Sequence, residues 1–150
     1  MSPSTWRKWR NLTANERRIA RTAISNSLSV AAQLRLRGYR PTRDAIEQTK
    51  TAESGVPVSL QDIGRVTQAV VRRLPWSPNC LERSLVLVRV IRRHSHDEPM
   101  LRLGVRRSNG GLEFHAWVEV DGRVAEDSAE IGQTFIPFGG DELPPHAVFV

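Results

Sequence analysis

Cysteine is nearly missing from this chain: of its 150 residues only Cys80 carries a thiol. One thiol cannot close an internal disulfide, and without a second a thiolate zinc cage is excluded. Lysine is almost as scarce. Only Lys8 and Lys50 are present, and arginine supplies the rest of the 22 basic side chains. Long apolar runs are absent too. The run ending at Val88 is cut by Arg89, far short of the roughly 20 residues a membrane span needs. The start, MSPSTWRKWRN, is basic with no apolar stretch behind it, so no signal peptide is expected. Together these absences suggest a cytoplasmic location with no membrane partner.

What is present fits one soluble domain over residues 1–150, helical over 13–94 and stranded over 100–150. Hydrophobic content of 39% and charged content of 25% are ordinary for a chain of this size, which can bury a core without disulfide or metal. The formal net charge is +6, which raises nucleic acid as a partner. The arginines are dispersed, however, and no zinc-finger or recognition-helix pattern accompanies them. An acidic peptide or protein accounts for the charge as well, and nucleic acid is the weaker expectation.

Periodicity of about 3.6 dominates the first two thirds. Thr13-Ala14-Asn15-Glu16 is a capping box, followed by Ile19, Ala20, Ala23, Ile24, Leu28, Ala31 and Ala32 at helical spacing; Gly38 and Pro41 end it. A short helix is possible over 42–49, then a loop to 58. Ser59-x-x-Asp62 opens a helix reaching about Arg73. Pro75-Trp76-Ser77-Pro78 breaks the chain rigidly, and CLERSLVLVRVIRR follows at once, apolar over so much of its circumference that it should be central and buried.

From Met100 the period becomes two. MLRLGV, then LEFHAWVEV after a Ser108–Gly111 turn, then residues 123–127 after Asp121-Gly122, read as antiparallel strands. FIPF and HAVFV are candidate edge strands or tail. Helices first and antiparallel strands after make an α+β fold, with N-terminal helices packed on a small sheet.

Two residues invite chemistry. Cys80 begins the buried helix, where partial positive charge and unpaired N–H groups favour a thiolate and can stabilise an oxyanion. Burial as a small hydrophobe is the competing reading. His115 shares its strand face with Trp117 and Glu119, while Phe114, Ala116, Val118 and Val120 form the apolar face. The pattern therefore sets His115 away from the core-packing side. A carboxylate would orient its ring. Asp127 on the returning strand reaches the His115 face if the Asp121-Gly122 connection has three loop residues or a bulge; a strict two-residue turn sends it to the opposite face.

The order Cys on a helix start, His on a strand and Asp on the next is that of the transglutaminase-like branch of papain-type thiol enzymes. CLERSLVLVRVIRR, LRLGVRR and FHAWVEVDGRVAED resemble, more closely, the bacterial lasso peptide B2 proteins. The resemblance spans about residues 76–127 and departs where His94-Ser95-His96-Asp97-Glu98-Pro99 replaces a Gly the family often has after the Arg pair. It implies a transglutaminase-like or papain-like core and a cysteine leader peptidase that frees the core of a ribosomally made lasso precursor. Cys80 would be the nucleophile, His115 the base and Asp127 the orienter, with no cofactor or metal. It also implies three partners: the precursor's leader region, a separate leader-binding B1 protein, and an ATP-dependent cyclase acting next. The alternatives are acyl transfer to an amine, or a non-catalytic basic module binding an acidic peptide or nucleic acid.

Trp76 and Trp117 flank these residues; they could line a substrate groove, although aromatic packing is the plainer expectation. Trp6 and Trp9, interleaved with basic residues, could dock a partner or lie on the first helix. His94, His96 and Asp97 have weak metal-ligand spacing and read better as a solvated loop.

Overall fold

The computed structural model describes residues 12–49, 58–125, 131–139, 143–144, 147 and 149. Trp6, Trp9 and Asp127 lie outside them. Helix α1 (Ala14–Arg37) begins as expected. Thr13 accepts from the Glu16 N–H, and the Glu16 carboxylate accepts from the Thr13 N–H at 2.8 Å, so two of the first turn's orphan donors are satisfied. Gly38 ends it in the left-handed region, φ 79°, donating its N–H to Leu34 O. Helix α2 (Tyr39–Glu47) then starts three residues earlier than expected. Pro41 falls in its first turn, where a helix needs no N–H donor, so the proline does not break it.

Ser59 caps α3 (Leu60–Val71) by accepting from the Asp62 N–H at 3.1 Å. Helix α4 (Cys80–His94) also opens with a capping box, which the two prolines before it obscure in the sequence. Asn79 accepts from the Glu82 N–H, and Glu82 accepts from the Asn79 N–H, both at 2.9 Å. As expected, α4 is central. It packs on α1, on α3 and on the sheet, and Leu81, Leu85, Val86, Leu87, Val88, Val90 and Ile91 are all buried. Burying each such side chain contributes about 1.5–3 kcal/mol relative to exposure. No described helix is long and apolar enough to cross a membrane.

Strands β1 (Met100–Ser108) and β2 (Gly111–Val120) form a long antiparallel hairpin with Leu103 opposite Ala116 and Gly104 opposite His115. The sheet order is β3-β2-β1-β4, with β3 at Arg123–Val124 and β4 at Ile136–Phe138. A short helical turn, α5 (Ile131–Thr134), precedes β4. The FIPF segment thus supplies the edge strand it suggested, and Phe149 bridges to Phe114. Ala116, Val118 and Val120 join the helical core through one face of the sheet.

Asp121 and Gly122 both take positive φ, 50° and 74°, the geometry of a two-residue primed turn. Val120 pairs with Arg123 and Glu119 with Val124, and Ala125 N–H donates to Val118 O at 2.8 Å. The connection is therefore the strict two-residue kind, and this register holds as far as Ala125; Asp127 lies beyond the described residues.

Candidate active site

Cys80 is the first residue of α4, reached through a strained approach. Ser77 sits at φ 46°, a region that a residue with a side chain enters only when its surroundings hold it there. Pro78 on one side and the Asn79–Glu82 capping box on the other provide that hold. Arg83 reinforces it, donating from Nη1 to Pro78 O at 2.9 Å. The thiol side chain is only 2% exposed. Cys80 thus combines the two positions weighed for it, a helix start and a buried site. Helix-start partial charge favours a thiolate, and burial limits who can reach it.

One turn further on, Ser84 fixes α4 to the sheet. Its Oγ donates to Ala116 O at 3.0 Å in a fully buried setting. Ala116 directly follows His115. The tie therefore joins the turn after Cys80 to the strand position next to His115.

His115 is half-buried and its Nε2 has no hydrogen-bond partner among the described residues. Its ring stacks on Phe135, centroids 5.0 Å apart and planes at 24°. Burial holds its pKa below 6.5, and the charges of Arg83, Arg106 and Arg72 push the same way. These three arginines come from the first turn of α4, from β1 and from the end of α3, which places His115 where those elements meet. It is a neutral imidazole at pH 7, the form able to accept a thiol proton.

His115 faces away from the helical core, as the strand pattern suggests, but its own face is covered. Trp117 is fully buried on it. Gly104 opposite makes room: a Cβ there would lie 2.6 Å from Trp117 Cζ3 and 2.9 Å from Phe135 Cβ. Phe135 covers the layer, with Arg106 over its ring at 4.8 Å. This cover comes from about twenty residues downstream, brought over His115 by the pairing of β4 with β1. Trp117 is a packing residue that donates from Nε1 to Glu119 at 2.9 Å. Glu119 also takes Arg102 Nε at 3.0 Å and so is committed away from His115. Trp76 is partly exposed, and its Nε1 is buried with no partner among the described residues.

His94 does not lie in a solvated loop, as expected of it, but is the buried last residue of α4. His94 meets Thr22 Oγ1 at 3.0 Å, and Ser95 donates to Asp97. Among the described residues no group of three His, Cys, Asp or Glu is placed to hold a metal ion.

A family model described as the transglutaminase-like superfamily matches residues 12–138. The chain belongs to the transglutaminase-like superfamily. The match runs from the capping box of α1 to the end of β4 and so includes Cys80, His115 and the helices that frame them. Members of this superfamily are typically cysteine peptidases or acyltransferases, the class of chemistry that a thiol at a helix start and a neutral histidine can perform. No curated protein and no solved structure matches the chain.

Proposed function

We propose that this transglutaminase-like protein is a cysteine peptidase that removes the leader from a ribosomally made lasso peptide precursor. The observation that supports the reading is the buried Ser84–Ala116 bond, which ties the helix that Cys80 begins to the strand that carries neutral His115. The motifs shared with lasso B2 proteins supply the substrate class.

Neutral His115 accepts the Cys80 proton, and the thiolate adds to the scissile carbonyl. The oxyanion forms beside the start of α4, where the helix dipole favours negative charge. Collapse breaks the C–N bond, and the His115 imidazolium protonates the departing core amine. The leader remains as a thioester on Cys80. Water, deprotonated by His115, attacks that thioester and releases the leader carboxylate while the thiol recovers its proton. In this reading Asp127 orients His115, which asks that the chain leave the β3 register after Ala125; Trp76 borders the substrate path, a B1 protein presents the precursor, and an ATP-dependent cyclase consumes the freed core. Trp117, fully buried, supports the site without touching substrate.

Cys80→Ala should lower precursor cleavage at least about a thousandfold with the fold intact, as read by mass spectrometry and circular dichroism. Persistent cleavage by that variant would sink the reading. Products joined to an added amine, in place of free leader and core, would redirect it to acyl transfer.

A further inference from the structure

On the side of α4 away from Cys80 lies a different arrangement. Arg89 falls about two and a half turns beyond Cys80 and so on the opposite side of the helix. There α1 and α4 run antiparallel along a polar seam, with Thr22 against His94 and Ser29 against Arg89. Ser29 Oγ receives Arg89 Nη1 at 3.1 Å and Gln33 Nε2 at 3.0 Å. Arg89 Nε is buried without a partner. Arg93, one turn on, and Arg18, on α1, both stand close enough to bear on His94.

Nearby arginines are neutralised: Arg92 by Glu98 and Arg43 by Asp44 and Glu47. No carboxylate among the described residues pairs with Arg18, Arg89 or Arg93. A part-buried guanidinium without a counter-charge is costly. Arg93 bears on the same guanidinium, which raises that cost. No described carboxylate supplies the negative charge, and the exposed heads of Arg18 and Arg93 are there to meet one that a partner brings.

We propose that the α1–α4 seam, through Arg18, Arg89 and Arg93, is a docking surface for a partner polypeptide that presents clustered carboxylates. Guanidinium groups suit carboxylates through paired N–H bonds. The seam faces away from Cys80, so a docked partner leaves the thiol's side of α4 free. The inference does not depend on what Cys80 cleaves.

The test uses the Cys80→Ala protein and a fluorescent hexaglutamate peptide at low ionic strength, read by anisotropy. Binding that weakens with salt is expected. Replacing Arg18, Arg89 and Arg93 together by Gln should raise the Kd about tenfold or more. Changing only the exposed pair, Arg18→Gln with Arg93→Gln, gives a smaller loss in the same direction and guards against misfolding at Arg89. Changing Arg107 and Arg123 to Gln, on the sheet, should leave the Kd within about twofold. Absence of binding overturns the proposal. So does equal weakening by the sheet pair, which would mean diffuse charge. Tighter, arginine-dependent binding of an oligouridylate of equal charge overturns it in favour of nucleic acid.

Discussion

Helix α4 has a histidine near each of its ends, and the two are treated differently. At the C-terminal end His94 is buried, flanked by Arg18 and Arg93, and its Nε2 is bonded to Thr22 Oγ1. Near the N-terminal end His115 is half-buried, flanked by Arg83, Arg106 and Arg72, and its Nε2 has no partner among the described residues. Burial and neighbouring cations keep both neutral. What separates them is the last hydrogen bond. A buried imidazole whose Nε2 already has its partner is structure. One whose Nε2 is left unbonded in a protein interior carries a free-energy cost that a working site has reason to keep.

The largest effect that tests this contrast is on turnover. His115→Ala should cut cleavage by about a thousandfold while the protein stays folded. His94→Ala should leave kcat/KM within about twofold and lower stability by roughly 1–3 kcal/mol, because the His94–Thr22 bond is lost and a buried volume empties, although Thr22 keeps its bond to Arg18 O. Steady-state kinetics beside urea unfolding reads both. If the two variants exchange phenotypes, the distinction between the histidines collapses.

Two glycines hold the framework around that contrast, and their substitution comes next. A Cβ on Gly64 would lie 2.2 Å from Ala125 O, and a backbone carbonyl cannot rotate away. Gly64→Ala should therefore cost about 3 kcal/mol or more by forcing α3 off the strand. At Gly104 the obstacle is the ring of Trp117, which has little room in its layer. Gly104→Ala should cost roughly 1–3 kcal/mol and, by displacing Phe135, lower kcat more than it raises KM. Thermal melts should rank Gly64→Ala below Gly104→Ala.

These residues also show what the sequence could say. Thr13 with Glu16 and Ser59 with Asp62 announced two helix starts because capping is a contact between residues three apart. The apolar circumference of α4 announced its centrality. The pleat of β2 identified the core side through Ala116, Val118 and Val120, since alternation is local. The cover on the other face was illegible: Phe135 reaches His115 only through the pairing of β4 with β1, a long-range choice no local pattern records. Asn79 with Glu82 was legible and was masked by the two prolines before it. The Asp121-Gly122 turn allowed two registers, and only the fold selected one.

Acid pH offers a subtler separation. Both histidines have folded-state pKa values below 6.5, for burial first and neighbouring arginines second. Between the folded pKa and the unfolded value, the unfolded chain binds more protons. Stability therefore falls as pH drops below about 6.5 and is flat in these groups above it. The acid limb of kcat/KM should likewise lie below 6.5, because cleavage needs His115 neutral. His94→Gln should flatten the stability profile and leave the activity limb in place. A limb that moves with His94→Gln would assign the base to the wrong histidine.

The smallest expected effect bears on the tie that makes the contrast possible. Ser84 Oγ is the donor that the buried Ala116 carbonyl uses. Ser84→Ala removes it without adding volume and leaves that oxygen short of a partner, at a cost of about 1–2 kcal/mol. The helix would still pack, since Leu81, Leu85 and Val88 hold it. The first turn of α4 would nonetheless lose its fixed distance to β2. Productive alignment of thiol and imidazole is sensitive to such slack, so kcat should fall severalfold with KM nearly unchanged, and the pH limb should not move. Ser84→Thr keeps the hydroxyl and should recover most of the rate if it packs. If Ser84→Ala loses stability but no turnover, the bond serves the fold alone, and the pairing of Cys80 with His115 must rest on something other than this tie.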